Sequence, residues 1–255
     1  MEYQEVTESA GRGITAVFFD LDGTLSDYVG SVEHALDVVW DGVCSRLTSY
    51  GKRDFLDSYW RNFDEMEDMA RRGEISTVEA SSRRGRFTRV LGDFGLGYDE
   101  ALVAEMSHLY TRGRLRGARL FPGVREALAA LREAYIIGVI TEGDGRLQRE
   151  QLERLGLDGV FRHVIISQEV GLHKPDPALY DYALAAAEVV PKESVMVGDR
   201  IDWDLVPAKR IGMRTAFFTH NNRYIALKEE VGFEPDWEVG SFLQLLEFIL
   251  PGESP

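Results

Sequence analysis

Short runs of residues, most of them apolar throughout, recur along this chain, once near its start and four times in its second half. Each is bounded by turn-forming residues, which makes it a candidate strand: Ala16–Asp20, Ile136–Thr141, His163–Ser167, Ser194–Gly198 and Arg214–Phe218. A strand that alternates apolar and polar residues has one face in water, whereas a strand that is apolar throughout is covered on both faces. The runs therefore predict a sheet that lies between two layers of helices.

Segments with helical periodicity separate the candidate strands, and a closing helix follows the last one: Val124–Ala134, Gly145–Leu155, Pro177–Ala187, Trp203–Ile211 and Ser241–Leu250. Regular alternation of strand and helix is typical of a parallel sheet with helices on both faces. We therefore predict an α/β, Rossmann-like core domain from residues 1–26 and 117–255, in which residues 1–13 are expected to be flexible.

The interval between the first two candidate strands has a different pattern. It shows helical periodicity and has few β-branched runs, so we interpret residues 27–116 as an inserted helical domain. A helical arm packed on the sheet is the alternative. Arginines of this interval either face solvent beside nearby acidic residues, which we favour, or bind an anionic group of a ligand: Arg71, Arg72, Arg83, Arg84, Arg86 and Arg89.

Charge and composition exclude several classes of function. The 255 residues carry a net charge of −14, which argues against nucleic acid and against an anionic membrane surface as partners. The first residues do not resemble a signal peptide, no apolar run is long enough to span a membrane, and Cys44 is the single cysteine. We expect a cytoplasmic monomer or homodimer that binds neither nucleic acid nor membrane.

Two aspartates and a glycine turn follow the first candidate strand. Asp20 and Asp22 stand at its carboxyl end, which is where open parallel sheets bind ligands. Gly23 permits a tight turn, and the Thr24 hydroxyl and nearby backbone N–H groups can hold a phosphate. Two crowded carboxylates repel, so such a site normally contains a cation or shares a proton. A capped junction between strand and loop is the alternative explanation.

Polar residues also stand at or just beyond the ends of later strands. Thr141 ends the second strand, Lys174 precedes a helix, and Asp199 follows the fourth strand with Asp204 close behind. Each alone has an ordinary explanation as a turn, cap or solvated residue. Together they bring a hydroxyl, a cation and further carboxylates to one edge of one sheet, which packing alone does not explain.

The segments that carry these polar residues resemble, in their order along the chain, the four motifs of the haloacid dehalogenase-like hydrolase superfamily, in its phosphatase branch. The matching segments are FFDLDGTL around Asp20 and Asp22, VIT ending at Thr141, HKPDP with Lys174, and VGDRIDWD around Asp199 and Asp204. The resemblance covers Thr15–Ser26 and about Gly117 to Leu250. The interval between is similar to the helical cap of that family, although its sequence is less diagnostic. The resemblance implies a Mg²⁺-dependent phosphatase that acts on a small soluble phosphomonoester beneath a cap.

The resemblance also implies a role for each matching aspartate. Asp20 would attack phosphorus and form an aspartyl-phosphate, and Asp22 would protonate the leaving oxygen and then deprotonate the water. Mg²⁺ would be bound by Asp20, by the backbone carbonyl of Asp22 and by Asp199. Asp204 would orient the groups around the metal.

The same resemblance gives Thr141 and Lys174 contacts with the transferring phosphoryl group, which Gly23 and Thr24 would also help to bind. Glu142 departs from the pattern, because many relatives have asparagine there. A mutase on the same core, a dehalogenase and a non-catalytic phosphometabolite-binding protein are the alternatives. Sugar phosphates, nucleoside monophosphates and phosphoglycolate-like acids all stay open as substrates.

Overall fold

The computed structural model describes residues 13–250. The segment predicted to be flexible, residues 1–13, therefore lies outside the described residues except for Gly13. The chain divides into two compact units. One is Val29–Gly117, and the described residues before and after it form the other, which we call the core unit.

A single sheet forms the centre of the core unit. Between residues 13 and 250 it has six strands: β1 (Ala16–Phe19), β2 (Ile136–Thr141), β3 (His163–Ile166), β4 (Ser194–Gly198), β5 (Arg214–Phe218) and β6 (Trp237–Val239). All neighbouring strands are parallel, in the order β3-β2-β1-β4-β5-β6. This architecture confirms the predicted α/β, Rossmann-like class.

The same described residues form twelve α-helices: α1 (Tyr28–Val43), α2 (Lys52–Arg71), α3 (Thr77–Ala80), α4 (Arg83–Asp93), α5 (Glu100–Gly117), α6 (Val124–Ala134), α7 (Gly145–Arg154), α8 (Ser167–Val170), α9 (Pro177–Ala187), α10 (Val206–Arg210), α11 (Leu227–Val231) and α12 (Phe242–Ile249). Two short 3₁₀-helices, Cys44–Arg46 and Pro191–Glu193, and one π-helical turn, Ile201–Leu205, complete the helical structure of this part of the chain.

The strand order creates a switch point beside β1. The chain runs from β1 outward through β2 to β3, and then returns to the other side of β1 with β4. At such a point the connections on the two sides diverge and leave a crevice at the carboxyl ends of the strands. The residues that follow β1 and β4 therefore lie next to each other at the mouth of this crevice.

Alternate side chains of β1 enter two apolar layers. Val17 and Phe19 are buried in a cluster with residues of α6 and α12, whereas Phe18 is buried in a second cluster with residues of α9 and α10. Burial of one such side chain stabilises the fold by about 1.5–3 kcal/mol. The two layers hold β1 rigidly, and so they fix the position of the loop that follows it.

β6 was not predicted as a strand, and one predicted helix has a different form. β6 is short and alternates, with Glu238 exposed between two buried residues, so it lacks the continuous apolar pattern of the other strands. The predicted helix Trp203–Ile211 is a π-helical turn followed by α10. Pro207 stands in the first turn of α10, and because proline has no N–H it favours the start of a new helix there.

The unit Val29–Gly117 has its own core. Tyr59, Phe87 and Tyr110 pack against one another with ring centroids 5.6–5.8 Å apart. Aromatic pairs at these distances add stabilisation beyond their buried area. Among the described residues of the whole chain, no helix combines the length and apolar character that crossing a bilayer requires.

Candidate active site

The carboxyl ends of β1, β2 and β4 meet at one edge of the sheet. Asp20 directly follows β1, Thr141 is the last residue of β2, and Asp199 directly follows β4. Phe19 is in register with Val197 of β4, and the backbone N–H of Asp20 donates to the Val197 carbonyl at 2.9 Å. The ladder thus continues one residue past β1, so Asp20 has a fixed backbone position at the switch point.

Lys174 is the cation at this edge. Its Nζ lies 2.6 Å from Oδ1 of Asp20 and 2.6 Å from Oδ1 of Asp204, and only 2% of the residue is exposed. Burial lowers the pKa of the Lys174 ammonium, but the two carboxylates more than offset this and raise the pKa well above its ordinary value. A permanently charged lysine therefore joins two aspartates that are far apart in the sequence.

The backbone around Lys174 is fixed by Glu142. Its Oε2 accepts a hydrogen bond from the Lys174 N–H at 2.9 Å, and its Oε1 lies 2.7 Å from Nδ1 of His173. Helix α9 begins shortly afterwards, with Asp176 capping its first turn. The residue that departs from the family pattern thus anchors the lysine loop, a role that the sequence did not reveal.

One oxygen of Asp20 has no partner. Oδ2 is buried and forms no hydrogen bond with any described residue. Burial raises the pKa of Asp20 to about 7, although Lys174 lowers it. An unsatisfied buried carboxylate oxygen is unfavourable unless a ligand or a cation covers it. Oδ2 is therefore the atom of Asp20 that is available to react or to bind.

Three carboxylates lie close together beside Lys174. Asp20, Asp199 and Asp204 each bring one oxygen within 4.8 Å of the others. Burial, followed by the charge of Asp20, raises the pKa of Asp199 well above its ordinary value. The carboxylates outnumber the lysine, and a hard divalent cation with oxygen ligands, such as Mg²⁺, fits this donor set. Asp204 is the exception, because Lys174 occupies its Oδ1 and the N–H of Arg200 donates to its Oδ2 at 3.0 Å.

The turn after Asp22 presses the backbone against Asp199. Gly23 has a φ of +99°, and a Cβ at this position would lie 2.3 Å from Oδ2 of Asp199. The Gly23 N–H donates to the Ser26 carbonyl at 2.8 Å, and the Thr24 hydroxyl donates to Oδ1 of Asp199 at 3.2 Å. The predicted phosphate contacts of Gly23 and Thr24 stay predictions, because both groups have protein partners in this structure.

Asp22 is held on the other side of the loop. Its Oδ1 accepts hydrogen bonds from Nε2 of Gln151 at 2.6 Å and from the Ser26 hydroxyl at 3.2 Å. Asp22 is partly exposed, whereas Gln151 and Ser26 are buried. The two aspartates of the motif thus have different surroundings: a buried lysine for Asp20 and neutral donors for Asp22.

Thr141 is buried at the end of β2, where a second glutamine contacts it. The Thr141 hydroxyl donates to Oε1 of Gln148 at 3.3 Å, and Nε2 of Gln148 donates to the Glu142 carbonyl at 3.2 Å. Sequence reasoning missed Gln148 and Gln151. The available signal was two glutamines at i and i+3 of a predicted helix, on the face that also carries Leu152, because buried amides require partners.

Asp202, the additional acid after β4, belongs to a cluster around Arg200. It accepts two hydrogen bonds from that guanidinium, at 3.0 and 2.7 Å. The guanidinium also lies 4.2 Å from the ring centre of Trp203 and 4.3 Å from that of Tyr224. Asp202 therefore has a partner that fixes the loop after Asp199.

Most arginines that the sequence left open in Val29–Gly117 form ion pairs with acidic neighbours: Arg71 with Asp68, Arg72 with Glu74, Arg84 with Glu100 and Arg89 with Glu65. Arg86 is buried with its guanidinium 4.2 Å from the ring centre of Phe63, and Arg83 donates to the Thr111 hydroxyl at 2.8 Å. The favoured interpretation, in which acidic neighbours balance these charges, thus agrees with four of the six.

The sequence matches a protein family and a named relative. The family model described as haloacid dehalogenase-like hydrolase matches residues 14–212. A relative named glyceraldehyde 3-phosphate phosphatase, from Pyrococcus furiosus, is 31% identical over 242 residues, which are 93% of this chain and 94% of the relative.

Solved structures show the same fold. The hydrolase YfnB from Bacillus subtilis, solved bound to magnesium, superposes with a TM-score of 0.78 at 18% identity and covers 93% of this chain and 99% of its own. A 2-haloacid dehalogenase from Pseudomonas syringae superposes with a TM-score of 0.63 at 28% identity, over 92% of this chain and 98% of its own.

Proposed function

The chain belongs to the haloacid dehalogenase-like hydrolases, and we propose that it is a phosphatase that hydrolyses a small phosphomonoester through an aspartyl-phosphate. One observation carries this proposal. Lys174 holds one oxygen of the buried Asp20 at 2.6 Å, while the other oxygen has no partner among the described residues. A carboxylate in this state is oriented for attack by one oxygen, beside a cation that attracts a phosphoryl dianion.

In the first step Asp20 attacks phosphorus. A bond forms between its carboxylate oxygen and phosphorus, and the bond from phosphorus to the ester oxygen breaks. Asp22 donates a proton to that ester oxygen, so the product leaves as a neutral alcohol. Lys174 offsets the repulsion between the nucleophile and the phosphoryl oxygens. The Thr141 hydroxyl, which donates to Gln148 in this structure, turns to donate to one of those oxygens instead.

In the second step water attacks the phosphorus of the aspartyl-phosphate. Asp22, ionised since the first step, accepts the proton of the attacking water. The bond between phosphorus and Asp20 breaks, inorganic phosphate leaves, and the Asp20 carboxylate is regenerated. Asp22 thus donates a proton in the first step and accepts one in the second, so the two steps together restore its protonation state.

We propose Mg²⁺ as the cofactor, bound by the carboxylates of Asp20 and Asp199 and by the backbone carbonyl of Asp22. When bound, it would supply positive charge next to the phosphoryl oxygens. Thr24, which donates to Asp199, orients that ligand. Asp204, whose two oxygens are both engaged, positions Lys174 beside Asp20.

Asp22 favours a phosphatase over a dehalogenase. Displacement of halide from carbon leaves no alkoxide to protonate, so that reaction has no use for a second aspartate in this position. For the substrate, the relative named glyceraldehyde 3-phosphate phosphatase supports a small sugar phosphate. We therefore propose phosphorylated compounds of the size of a triose or a pentose as the class to test first.

A panel of phosphomonoesters tests the function. We expect phosphate release from glyceraldehyde 3-phosphate or a related sugar phosphate in the presence of Mg²⁺, measured as inorganic phosphate. EDTA should reduce the rate by at least about 100-fold, and added Mg²⁺ should restore it. Full activity in a metal-stripped preparation would contradict the metal assignment, and inactivity on every phosphomonoester with Mg²⁺ would contradict the function.

Gly23→Ala is expected to lower kcat/KM by at least about 100-fold, because the added methyl group would displace the Asp199 carboxylate. Gly13→Ala is the matched control. Gly13 also has a positive φ, +87°, but apart from its chain neighbours no described residue has an atom within 4 Å of its Cβ position. Both variants place alanine at a positive φ, so a difference between them in steady-state kinetics measures the clash with Asp199. Equal activity of the two variants would show that Gly23 does not define the position of Asp199.

A further inference from the structure

Helix α7 carries glutamine at positions where its packing calls for apolar side chains. Its buried residues are Gly145, Gln148, Gln151 and Leu152, and Gln151 is only 6% exposed. Burial of an amide is unfavourable unless hydrogen bonds replace those it makes to water. The partners of a buried glutamine therefore show what the residue is for.

The partners of Gln151 belong to the loop after β1. Its Nε2 lies 2.6 Å from Oδ1 of Asp22 and 3.3 Å from the Ser26 hydroxyl oxygen. That hydroxyl lies 3.2 Å from the same Oδ1 and 3.1 Å from the carbonyl of Leu21. Of these contacts, the amide of Gln151 makes the shortest one to Asp22, and it comes from an element 129 residues away in sequence.

Gln151 reaches Asp22 from a firmly held helix. Asp144 caps the first turn of α7 by accepting a hydrogen bond from the Leu147 N–H at 3.0 Å. Leu152, next to Gln151, belongs to the apolar layer that covers β1. Asp22 itself is partly exposed on the loop after β1, so the helix gives its side chain a fixed partner.

We propose that Gln151 is the positioning residue of Asp22: its amide fixes the direction of the carboxyl group that exchanges protons with the ester oxygen and with water. The proposal rests on the proposed phosphatase function. An amide N–H carries no charge, and Oδ1 accepts its hydrogen bond whether the carboxyl group is ionised or carries its proton on the other oxygen. Gln151 thus holds Asp22 in both steps, and a misdirected carboxyl group loses much of its value as an acid.

Gln151→Met tests this, because methionine keeps the length of the side chain and removes the donor. The readout is kcat/KM, which reports the phosphorylation step, for an alkyl phosphate and for a 4-nitrophenyl phosphate. We expect a loss of about tenfold with the alkyl ester and of less than about twofold with the aryl ester, whose leaving group needs no acid. Gln148→Met is the matched control: it frees Thr141 instead, so its loss should be similar with both esters.

A double-mutant cycle adds a readout that a purely structural role would not move. In an Asp22→Asn background, Gln151→Met should cause no further loss with the alkyl ester, because the group that it positions is absent. Should Gln151→Met fold poorly in a thermal unfolding assay, Gln151→Ala carries the same test, because alanine also removes the donor.

Equal losses with the two esters, or a full additional loss in the Asp22→Asn background, would overturn the role of Gln151. Failure of the proposed function looks different. In that case Asp22→Asn itself would lose activity equally on both esters, or the wild type would hydrolyse neither. If Asp22→Asn loses more activity with the alkyl ester than with the aryl ester but Gln151→Met does not, only the positioning role of Gln151 is overturned.

Discussion

Asp20→Asn is expected to abolish phosphate release and to leave no phosphorylated enzyme at any stage of the reaction. Asparagine keeps the size of the side chain but has no carboxylate to attack phosphorus, and it removes the charge that Lys174 contacts at 2.6 Å. The expected loss of kcat/KM is at least about 10⁴-fold, as for other enzymes without their nucleophile. Mass spectrometry of protein quenched in acid during turnover measures the phosphoryl group directly.

Asp22→Asn is the matched control, since it removes one carboxylate from the same loop. A charge argument alone would predict equal damage from the two substitutions. The proposed mechanism predicts instead that Asp22→Asn still forms the aspartyl-phosphate from an aryl ester, and that the intermediate accumulates because water attack lacks its base. The trapped group should be sensitive to hydroxylamine and should map to Asp20.

Two results would contradict these roles. A phosphoryl group on Asp20→Asn protein would show that another residue is the nucleophile. Equal sensitivity of wild type and Asp22→Asn to the leaving group would show that Asp22 is not the acid. Both measurements use the same alkyl and aryl phosphates. The first result would contradict only the nucleophile, and the second would contradict only the acid.

Continuous apolar strands made the sheet predictable. The runs around β1, β2 and β4 are buried on both faces, and such burial selects apolar residues at every position rather than at alternate ones. β6 lies at the edge of the sheet and is buried on one side only, so Trp237 and Val239 alternate with an exposed glutamate. A three-residue alternation carries too little signal to separate a strand from a loop.

The residues of the site were predictable by type and by their place at strand ends, but their contacts were not. That Asp20 and Asp199 are neighbours depends on the strand order, because β4 could have been added beside β3 rather than beside β1. The contact of Gln151 with Asp22 and that of Glu142 with the Lys174 backbone depend on how helices and loops pack over the sheet. Local pattern contains no information on such distant pairs.

Lys174→Met is expected to cost both activity and stability. The substitution leaves the carboxylates of Asp20 and Asp204 buried without the cation that both contact at 2.6 Å. Removing one partner of a buried ion pair typically lowers the free energy of unfolding by about 3–5 kcal/mol. Loss of the charge next to the phosphoryl group should lower kcat by about 10²–10³-fold. Urea unfolding in EDTA, together with steady-state kinetics in Mg²⁺, measures the two effects.

Lys209→Met is the matched control. Lys209 lies 3.5 Å from Asp236 but is 40% exposed, so water screens that pair and its loss should lower the free energy of unfolding by less than about 1 kcal/mol. Both variants replace a lysine by methionine in the core unit and remove one charge. A difference between them therefore measures the effect of burial. Similar losses in both variants would contradict the assignment of Lys174 as the buried counter-ion of the site.

The pH dependence of the Lys174→Met defect gives an independent test. Burial raises the pKa of Asp20 in the folded protein to about 7, and Lys174 acts against that rise, so its removal raises this pKa further. The pKa of an aspartate in the unfolded chain is about 4. When the pKa in the folded protein is higher, the folded state binds the proton more tightly, so the free energy of unfolding rises as the pH falls through the folded pKa. In EDTA the deficit in unfolding free energy should therefore be larger at about pH 8 than at about pH 5. A deficit that is constant across this range would show that the lysine stabilises the fold by packing and not by its charge.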